Sequence, residues 1–493
     1  MSEDDLAATE SEMPLPFGIS AETGRPLSGV SEKTIDAHLT EEIEHPSDTT
    51  VLKHRTEQSA KAWGVIGGVD AKDLAQAGWA VLFSPDVVQE IKDALQPLLD
   101  HRKNQAKDLF KVFDGAKSYQ KGETADAWLA RQGEGLRLET VDPALGVPYY
   151  LLIVAPPESI PFEFQYYLDL YWAVGRLWFS KPDQFRRYAD SVVRYETMSC
   201  VQTARRVNVF ATKHDFDRAT QLFVRQVAEP LVNGDPPTKP IGNPQGFELQ
   251  AFIGRDATKE TLRNILRGAG PYGPPALLFS GTHGMAFESH DRRQEAAQGA
   301  IVCQDWGGYG SINESHWFSS VDVPDDARVH GLIHFVFACY SAGYPREDNF
   351  DRLSASPRTV AAKAMLSGLP QTLLSHANGG ALAVLGHIDR AWAFSFQSPR
   401  RRSQTQGFRD VIARLLLGEP IGHATDSFNL RWAALSTQLA EQQNDHLHHG
   451  IDLNRRTYAN LWVARDDARN YIIFGDPAVR LRVENMPELV RAS

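Results

Sequence analysis

The sequence is poor in cysteine and in uninterrupted apolar residues, and both shortages narrow what the chain can be. Only three cysteines occur in 493 residues, too few for a disulfide framework, and their odd number leaves at least one free thiol. No stretch approaches the roughly 18 uninterrupted apolar residues of a membrane span. The N-terminus is acidic, whereas a secretory signal begins basic and continues apolar. We therefore expect a cytoplasmic protein without a membrane partner.

Positive charge is also in deficit. The chain carries 51 Lys and Arg against 62 Asp and Glu, a formal net charge of −11. A sequence-independent nucleic-acid binder needs a basic face, so no nucleic-acid partner is predicted. Apolar residues make up 42% and charged residues 23%, as in ordinary globular proteins. At this length we expect two or three domains with sizeable cores.

Composition and periodicity divide the chain into three predicted regions. Residues 1–60 are acidic and poor in aromatics, which predicts a tail without fixed structure. Strand and helix patterns alternate over 61–200, which predicts an N-terminal α/β subdomain. The alternation restarts over 201–493, which predicts a larger second α/β domain with parallel strands and right-handed crossovers.

Two apolar runs of the second domain end in reactive side chains. Ala276–Thr282 leads into His283-Gly284, and Leu332–Ala338 leads into Cys339. Short apolar runs bounded by polar residues are typical of strands buried on both faces of a parallel sheet. Because chemistry gathers at the carboxyl ends of such strands, we expect the imidazole and the thiol to meet there.

The residue types fit nucleophilic catalysis by a thiol. Cys339 would act as the thiolate nucleophile and His283 as the proton carrier. The backbone N–H groups of Gly284 and Cys339 would stabilise an oxyanion, since a glycine allows close approach. The competing interpretation is that Cys339 is a buried apolar filler and His283 an ordinary turn residue. The sequence does not identify the group that orients His283.

A strand ending in His-Gly followed by a strand ending in Ala-Cys resembles the caspase–gingipain clan (clan CD) of cysteine peptidases. That clan includes bacterial CHAT and separase-like domains. Two further segments, His387–Trp392 and the Gly-Asp-Pro sequence within Phe474–Leu481, are similar to the gingipain branch. The resemblance covers about 75–485, but the chain lacks Gln-Ala-Cys and has Tyr340 where a small residue often follows the nucleophile.

The resemblance implies a caspase-like three-layer α/β sandwich with a mostly parallel central sheet, preceded by a non-catalytic α/β subdomain. It implies no resident cofactor; some relatives use calcium, for which this sequence offers no support. By the same resemblance, Trp392 would stack along a long substrate side chain and Asp389 would meet its cationic head, which favours Arg or Lys before the cut. Asp348 and Glu347 compete for the role of Asp389, which is equally compatible with a turn or helix cap.

Cleavage after basic residues would give the chain targets of its own. Arg292-Arg293 and Arg400–Arg402 lie in polar stretches, so Arg293 and Arg402 are candidate sites for self-processing or for an activating peptidase; solvated surface charge is the alternative. We thus expect a cytoplasmic cysteine endopeptidase acting on proteins or peptides in a bacterial signalling or defence cascade. A catalytically silent scaffold in such a cascade and a non-peptidase thiol hydrolase or transferase are the alternatives.

Overall fold

The computed structural model describes most of the chain. Its described residues are 15–31, 33–35, 64–133, 140–270, 273–351, 358–397 and 403–487. The candidate processing residue Arg402 and most of the predicted tail lie outside them. Among the described residues no helix combines the length and apolar content needed to cross a bilayer.

Strands and helices alternate along the described residues. The strands are β1 (Gly18–Ser20), β2 (Trp79–Phe83), β3 (Phe110–Phe113), β4 (Tyr150–Val154), β5 (Ala173–Leu177), β6 (Ala204–Ala211), β7 (Glu248–Ile253), β8 (Pro275–Gly281), β9 (Gly284–Ala286), β10 (Ile301–Val302), β11 (Trp317–Phe318), β12 (Ile333–Phe337), β13 (Gly343–Tyr344), β14 (Met365–Leu366), β15 (Ala383–His387) and β16 (Tyr471–Gly475). The helices are α1 (Leu74–Ala77), α2 (Gln89–Ala106), α3 (Ala125–Arg131), α4 (Phe162–Asp169), α5 (Pro182–Thr197), α6 (Arg218–Phe223), α7 (Glu229–Asn233), α8 (Lys259–Leu266), α9 (Gln294–Ala297), α10 (Gly368–Leu374), α11 (Gln406–Leu416), α12 (Ile421–Ala424), α13 (Asp426–His449) and α14 (Arg455–Arg469).

One ten-stranded sheet organises the molecule, in the order β3-β2-β4-β5-β16-β15-β12-β8-β6-β7. Its neighbours pair in parallel except β15 and β16, which are antiparallel. The central strands are buried at every position. Because successive side chains point to opposite faces, such burial requires cover on both faces. The mostly parallel three-layer α/β fold is therefore confirmed.

The C-terminal strand β16 joins the two halves of this sheet. It pairs with β5 on one side and β15 on the other, so strands from 61–200 and from 201–493 form one continuous sheet. The boundary at residue 200 stays a prediction.

Buried charges hold the end of β16 in place. Asp476, of the Gly-Asp-Pro sequence, accepts hydrogen bonds from Trp79 Nε1 at 2.9 Å and from Arg102 Nε at 2.7 Å. Arg102 also donates to Glu196 at 2.7 Å. Burial alone would raise the pKa of Glu196, but the charge of Arg102 holds that pKa well below its usual range. Breaking such a buried pair costs about 3–5 kcal/mol, which gives this sequence a structural role.

A smaller four-stranded sheet, in the order β1-β9-β10-β11, covers the carboxyl end of β8. Its first strand, β1, comes from the predicted tail. Residues 15–31 are ordered rather than free there, with Phe17 and Ile19 fully buried. Strong local apolar contacts outweigh the acidic composition of the surrounding region.

Candidate active site

His283 and Cys339 follow neighbouring strands. β8 and β12 are adjacent and parallel, with Phe337 opposite Gly281 in the register. His283 begins two residues after the end of β8 and Cys339 two residues after the end of β12. Both therefore emerge at the same edge of the sheet, where the sequence analysis expects them to meet.

A tight turn follows the thiol. Tyr340 has a φ of +58°, a left-handed conformation that costs a non-glycine residue roughly 1–3 kcal/mol. Its N–H donates to the carbonyl oxygen of Asp389 at 3.0 Å, which holds the turn against the next loop. Cys339 Sγ lies against the Ala391 peptide of that loop, 3.2 Å from its nitrogen and 3.7 Å from its oxygen.

Two backbone donors converge on a single carbonyl oxygen. The N–H groups of Gly284 and Cys339 both donate to the oxygen of Phe17, each at 2.9 Å. A Cβ at Gly284 would collide with the carbonyl oxygen of Cys339, so glycine is required for this approach. Two preorganised donors aimed at one carbonyl oxygen are the arrangement that an oxyanion hole requires.

His283 is oriented by a carboxylate that the sequence analysis does not identify. His283 Nε2 lies 2.7 Å from Asp217 Oδ2. Asp217 also caps α6, accepting from the N–H groups of Ala219 at 3.2 Å and Thr220 at 3.1 Å. Burial would raise the pKa of Asp217, but the charge of His283 and these hydrogen bonds hold that pKa well below its usual range. The side chain is therefore a fixed anion beside the imidazole.

Pairing through Nε2 leaves the other imidazole nitrogen for proton exchange. His283 Nδ1 is buried and has no hydrogen-bond partner among the described residues. When the imidazole is neutral and donates its Nε2 proton to Asp217, Nδ1 carries the free lone pair. It is the nitrogen available to take a proton from a thiol.

Burial disfavours the thiolate form of Cys339. Cys339 is fully buried, and that burial raises the pKa of its thiol well above its usual range. The hydrogen bond to Ala391 and the charge of Arg390 oppose this shift only in part. Part of the cover comes from Gly18, where a Cβ would lie 3.0 Å from Sγ.

This part of the cover over Cys339 belongs to the chain's own N-terminal segment, Leu15–Ser20, which we call the cleft strand. Before the Phe17 carbonyl it pairs antiparallel with 391–393: Phe17 N–H donates to Ala391 at 2.8 Å, and Ala393 N–H donates to Leu15 at 3.2 Å. After that carbonyl it pairs in parallel with β9. Peptides that add to a sheet edge bind in this way: the extended chain is held by main-chain hydrogen bonds along its length.

Further contacts hold the chain that follows the cleft strand. A turn brings Leu27 N–H to the Gly18 oxygen at 2.9 Å. Arg390 Nη1 donates to the Ser28 carbonyl at 2.6 Å, and Thr34 Oγ1 donates to Asp351 at 3.0 Å. The sequence feature that marks the cleft strand is the short apolar run Met13–Ile19. The acidic composition averaged over residues 1–60 conceals this run.

The carboxylates expected to meet a basic side chain are hydrogen-bonded to neighbouring groups, and their role in substrate binding stays a prediction. Asp389 accepts from the N–H groups of Asn349 at 3.1 Å and Arg390 at 2.6 Å. Asp348 accepts from Arg390 Nη2 at 2.8 Å. Burial and the nearby Asp348 charge raise the pKa of Asp389. Both carboxylates are buried and already hydrogen-bonded.

The other sequence-predicted residues are also located. The ring of Trp392 packs on Phe350, with centroids 5.2 Å apart, and under the Arg390 guanidinium at 5.1 Å. Glu347 is exposed. Arg293 is exposed and pairs with Asp291 at 2.7 Å. None of these contacts involves the side chain of Phe17.

Comparison with known families decides the chain's relationship. The model of peptidase family C25 matches residues 81–482. The chain belongs to that family. The resemblance to the caspase–gingipain clan is confirmed, and the chain is a cysteine endopeptidase.

Solved structures show distant likenesses to this family member. The Arg-specific cysteine proteinase gingipain R is 15% identical, covering 83% of this chain and 79% of its own, with a TM-score of 0.46. A complex of Porphyromonas gingivalis RgpB pro- and mature domains is 14% identical, covering 82% and 80%, with a TM-score of 0.45. The Saccharomyces cerevisiae separase–securin complex is 13% identical, covering 68% and 16%, with a TM-score of 0.30. A search of curated proteins gave no match.

Proposed function

We propose that this cysteine endopeptidase cleaves proteins or peptides bound as an extended strand along the path of its own cleft strand. We further propose that the cleft strand must leave before a substrate can enter. The observation that carries this proposal is the Phe17 carbonyl oxygen between the N–H groups of Gly284 and Cys339. A substrate aligned for attack places its scissile carbonyl oxygen between such donors.

The residues supply each proton that the reaction needs. His283 Nδ1 takes the thiol proton as Cys339 Sγ bonds to the carbonyl carbon, and the oxygen develops negative charge between the two N–H donors. His283 then gives the proton to the departing amine as the C–N bond breaks. Water hydrolyses the resulting thioester and restores the thiol. Asp217 stabilises the imidazolium throughout.

The cleft strand supports a self-inhibited resting state. It blocks the position of a substrate and leaves the thiol buried and protonated. Full burial of Phe17 and Ile19 contributes about 1.5–3 kcal/mol each, and the strand is tethered, which makes its rebinding intramolecular. Release therefore requires cutting of the chain or a competing partner.

Activation and setting complete the proposal. We assign activation to self-processing or to a partner peptidase in a bacterial signalling or defence cascade; exposed Arg293 is accessible to such a partner. Three cysteines without disulfide partners support a reducing, cytoplasmic setting. The preference for Arg or Lys before the cleaved bond stays a sequence-based prediction, which peptides with Arg or Lys before the reporter test.

Peptide hydrolysis by full-length protein tests this function. Ile19→Asp places a charge among Met285 and Trp317 in the small-sheet core, so it should release the cleft strand without touching the acyl side of the site. We expect at least about tenfold faster hydrolysis of a fluorogenic peptide panel than for wild type. Glu22→Gln, at an exposed position, is the matched control, and Cys339→Ala should be inactive. No hydrolysis of any peptide by folded Ile19→Asp would refute the proposal.

A further inference from the structure

We infer that the pocket before the cut takes a large aromatic side chain, so that this chain cleaves after phenylalanine-like residues. The inference rests on the proposed function and names its substrate class. It follows from the identity of Phe17, whose carbonyl occupies the oxyanion hole. The side chain attached to that residue fills the acyl-side pocket, and here it is fully buried.

Aromatic rings from separate parts of the fold line this pocket. The Phe17 ring centroid lies 4.7 Å from that of Phe337, 5.8 Å from Phe396 and 6.0 Å from Phe223. Interplanar angles of 67°, 79° and 68° make all three contacts edge-to-face. Aromatic pairs prefer this arrangement. The imidazole of His283 closes the fourth side, 5.7 Å away.

The aromatic rings that line the pocket also pack against one another. Phe223 stacks on Phe337 with centroids 5.2 Å apart and an angle of 8°. Phe396 touches both, at 5.6 Å and 5.7 Å. A Cβ at Gly281 would collide with the Phe223 ring, so glycine at the end of β8 leaves room for that wall. These three rings therefore contact one another as well as Phe17.

Among the described residues, the carboxylates around this site are already hydrogen-bonded, so a basic side chain would find no free partner in them. Asp217 is bound by His283, and Asp389 by two backbone N–H groups. Asp467, behind the loop that pairs with the cleft strand, accepts from Trp392 N–H at 2.9 Å and Ser395 Oγ at 2.8 Å. A guanidinium or ammonium group buried among the rings would lose its water without gaining an ionic partner. The geometry thus favours an aromatic over a basic residue.

Thiol protection tests the pocket without requiring turnover. Iodoacetamide labelling of Cys339, followed by peptide mapping, reports how firmly each Phe17 variant of the full chain occupies the cleft. We expect Phe17→Arg and Phe17→Asp to label at least about tenfold faster than wild type, and Phe17→Trp within about threefold of it. Phe216→Ala, at a residue 77% exposed, controls for loss of a ring. Labelling of Phe17→Arg as slow as that of wild type would overturn the inference.

Peptide preference gives the second measurement. Full-length Ile19→Asp should hydrolyse Leu-Pro-Phe-reporter with a kcat/KM at least about tenfold above those of Leu-Pro-Arg-reporter and Leu-Pro-Lys-reporter. Faster cleavage after Arg or Lys would leave the proposed function standing and overturn the aromatic pocket. Absence of all cleavage, with the labelling order as expected, would instead refute the proposed function and support the pocket.

Discussion

The carbonyl oxygen of Phe17 lies 2.9 Å from the backbone nitrogen of Cys339. That contact joins the N-terminal segment to the proposed nucleophile of the same chain, with the second N–H donor supplied by Gly284. A substrate carbonyl would make the same two hydrogen bonds. Under the proposed function, the resting chain therefore presents one of its own peptide bonds to His283 and Cys339.

The first prediction is slow self-cleavage between Phe17 and Gly18. Sγ of Cys339 would bond to the Phe17 carbon, the C–N bond would break, and His283 would deliver the thiol proton to the Gly18 nitrogen. Water then releases residues 1–17 with a Phe17 carboxylate. Intact-mass analysis of wild type after extended incubation should show a chain beginning at Gly18. Equal masses for wild type and Cys339→Ala would contradict it.

The second prediction concerns the pH dependence of thiol access. Burial raises the pKa of Cys339 while the cleft strand is in place. The form with the cleft strand bound therefore favours the protonated thiol. The population of this form falls as pH rises above the thiol pKa of the form with the strand released. Cys339 labelling in wild type should climb about tenfold per pH unit through pH 9 without levelling near the usual thiol pKa of about 8.5.

Two comparisons sharpen that measurement. Exposed Cys200, mapped in the same samples, reports the reagent's own response to pH. Ile19→Asp, with the strand released, should level off at lower pH than wild type. Identical pH profiles for Cys339 in the two proteins would show that the strand does not control the thiol.

The third prediction tests Asp217 as the positioning residue for His283. Asp217→Asn keeps the helix cap, since Asn caps as well as Asp, but removes the anion 2.7 Å from Nε2. In the Ile19→Asp background we expect kcat to fall by about 10²–10⁴ with little change in KM, and a shifted pH profile. Asp73→Asn, which alters the cap of α1 away from the site, should leave kcat unchanged. An unaltered pH profile for Asp217→Asn would argue for a purely structural role.

The fourth prediction concerns the oxyanion hole. A methyl at Gly284 would collide with the Cys339 carbonyl, so Gly284→Ala must displace at least one N–H donor. We expect a loss of about 10²–10³ in kcat, the usual effect of removing one oxyanion donor. Gly67→Ala is the control, since a Cβ there meets nothing within 4 Å. Unchanged kcat in a folded Gly284→Ala would place the oxyanion elsewhere.

The sequence predicts the two strand-end residues of this site better than the residues that contact them. His283 and Cys339 are predictable because each follows an apolar run whose end is visible in the sequence, and parallel strands bring those ends together. Asp217 was not, because it precedes His283 by 66 residues and looks like any helix cap. Phe17 was hidden by its acidic surroundings. The role of Asp389 in substrate binding stays a prediction from a resemblance, and its carboxylate accepts from the backbone N–H groups of Asn349 and Arg390.

The final prediction concerns acid stability and the strand that carries Cys339. His334 of β12 is buried, with Nε2 2.6 Å from Ser280 Oγ on β8, and burial lowers its pKa from 6.5 to about 3. Between those pKa values His334 is protonated in the unfolded chain and neutral in the folded chain. Stability is therefore present above pH 6.5 and is lost as pH falls towards 3, by up to about 1.4 kcal/mol per pH unit.

Replacing His334 should remove this dependence. His334→Gln retains a hydrogen-bonding amide towards Ser280 but cannot titrate, so its free energy of unfolding should fall less steeply between pH 6.5 and 4 than that of wild type. Urea unfolding at each pH gives the slopes, with His446→Gln at an exposed helix end as the control. Parallel slopes for wild type and His334→Gln would show that the β12 imidazole is already charged in the folded chain. In that case the packing of the strand before Cys339 would need a different explanation.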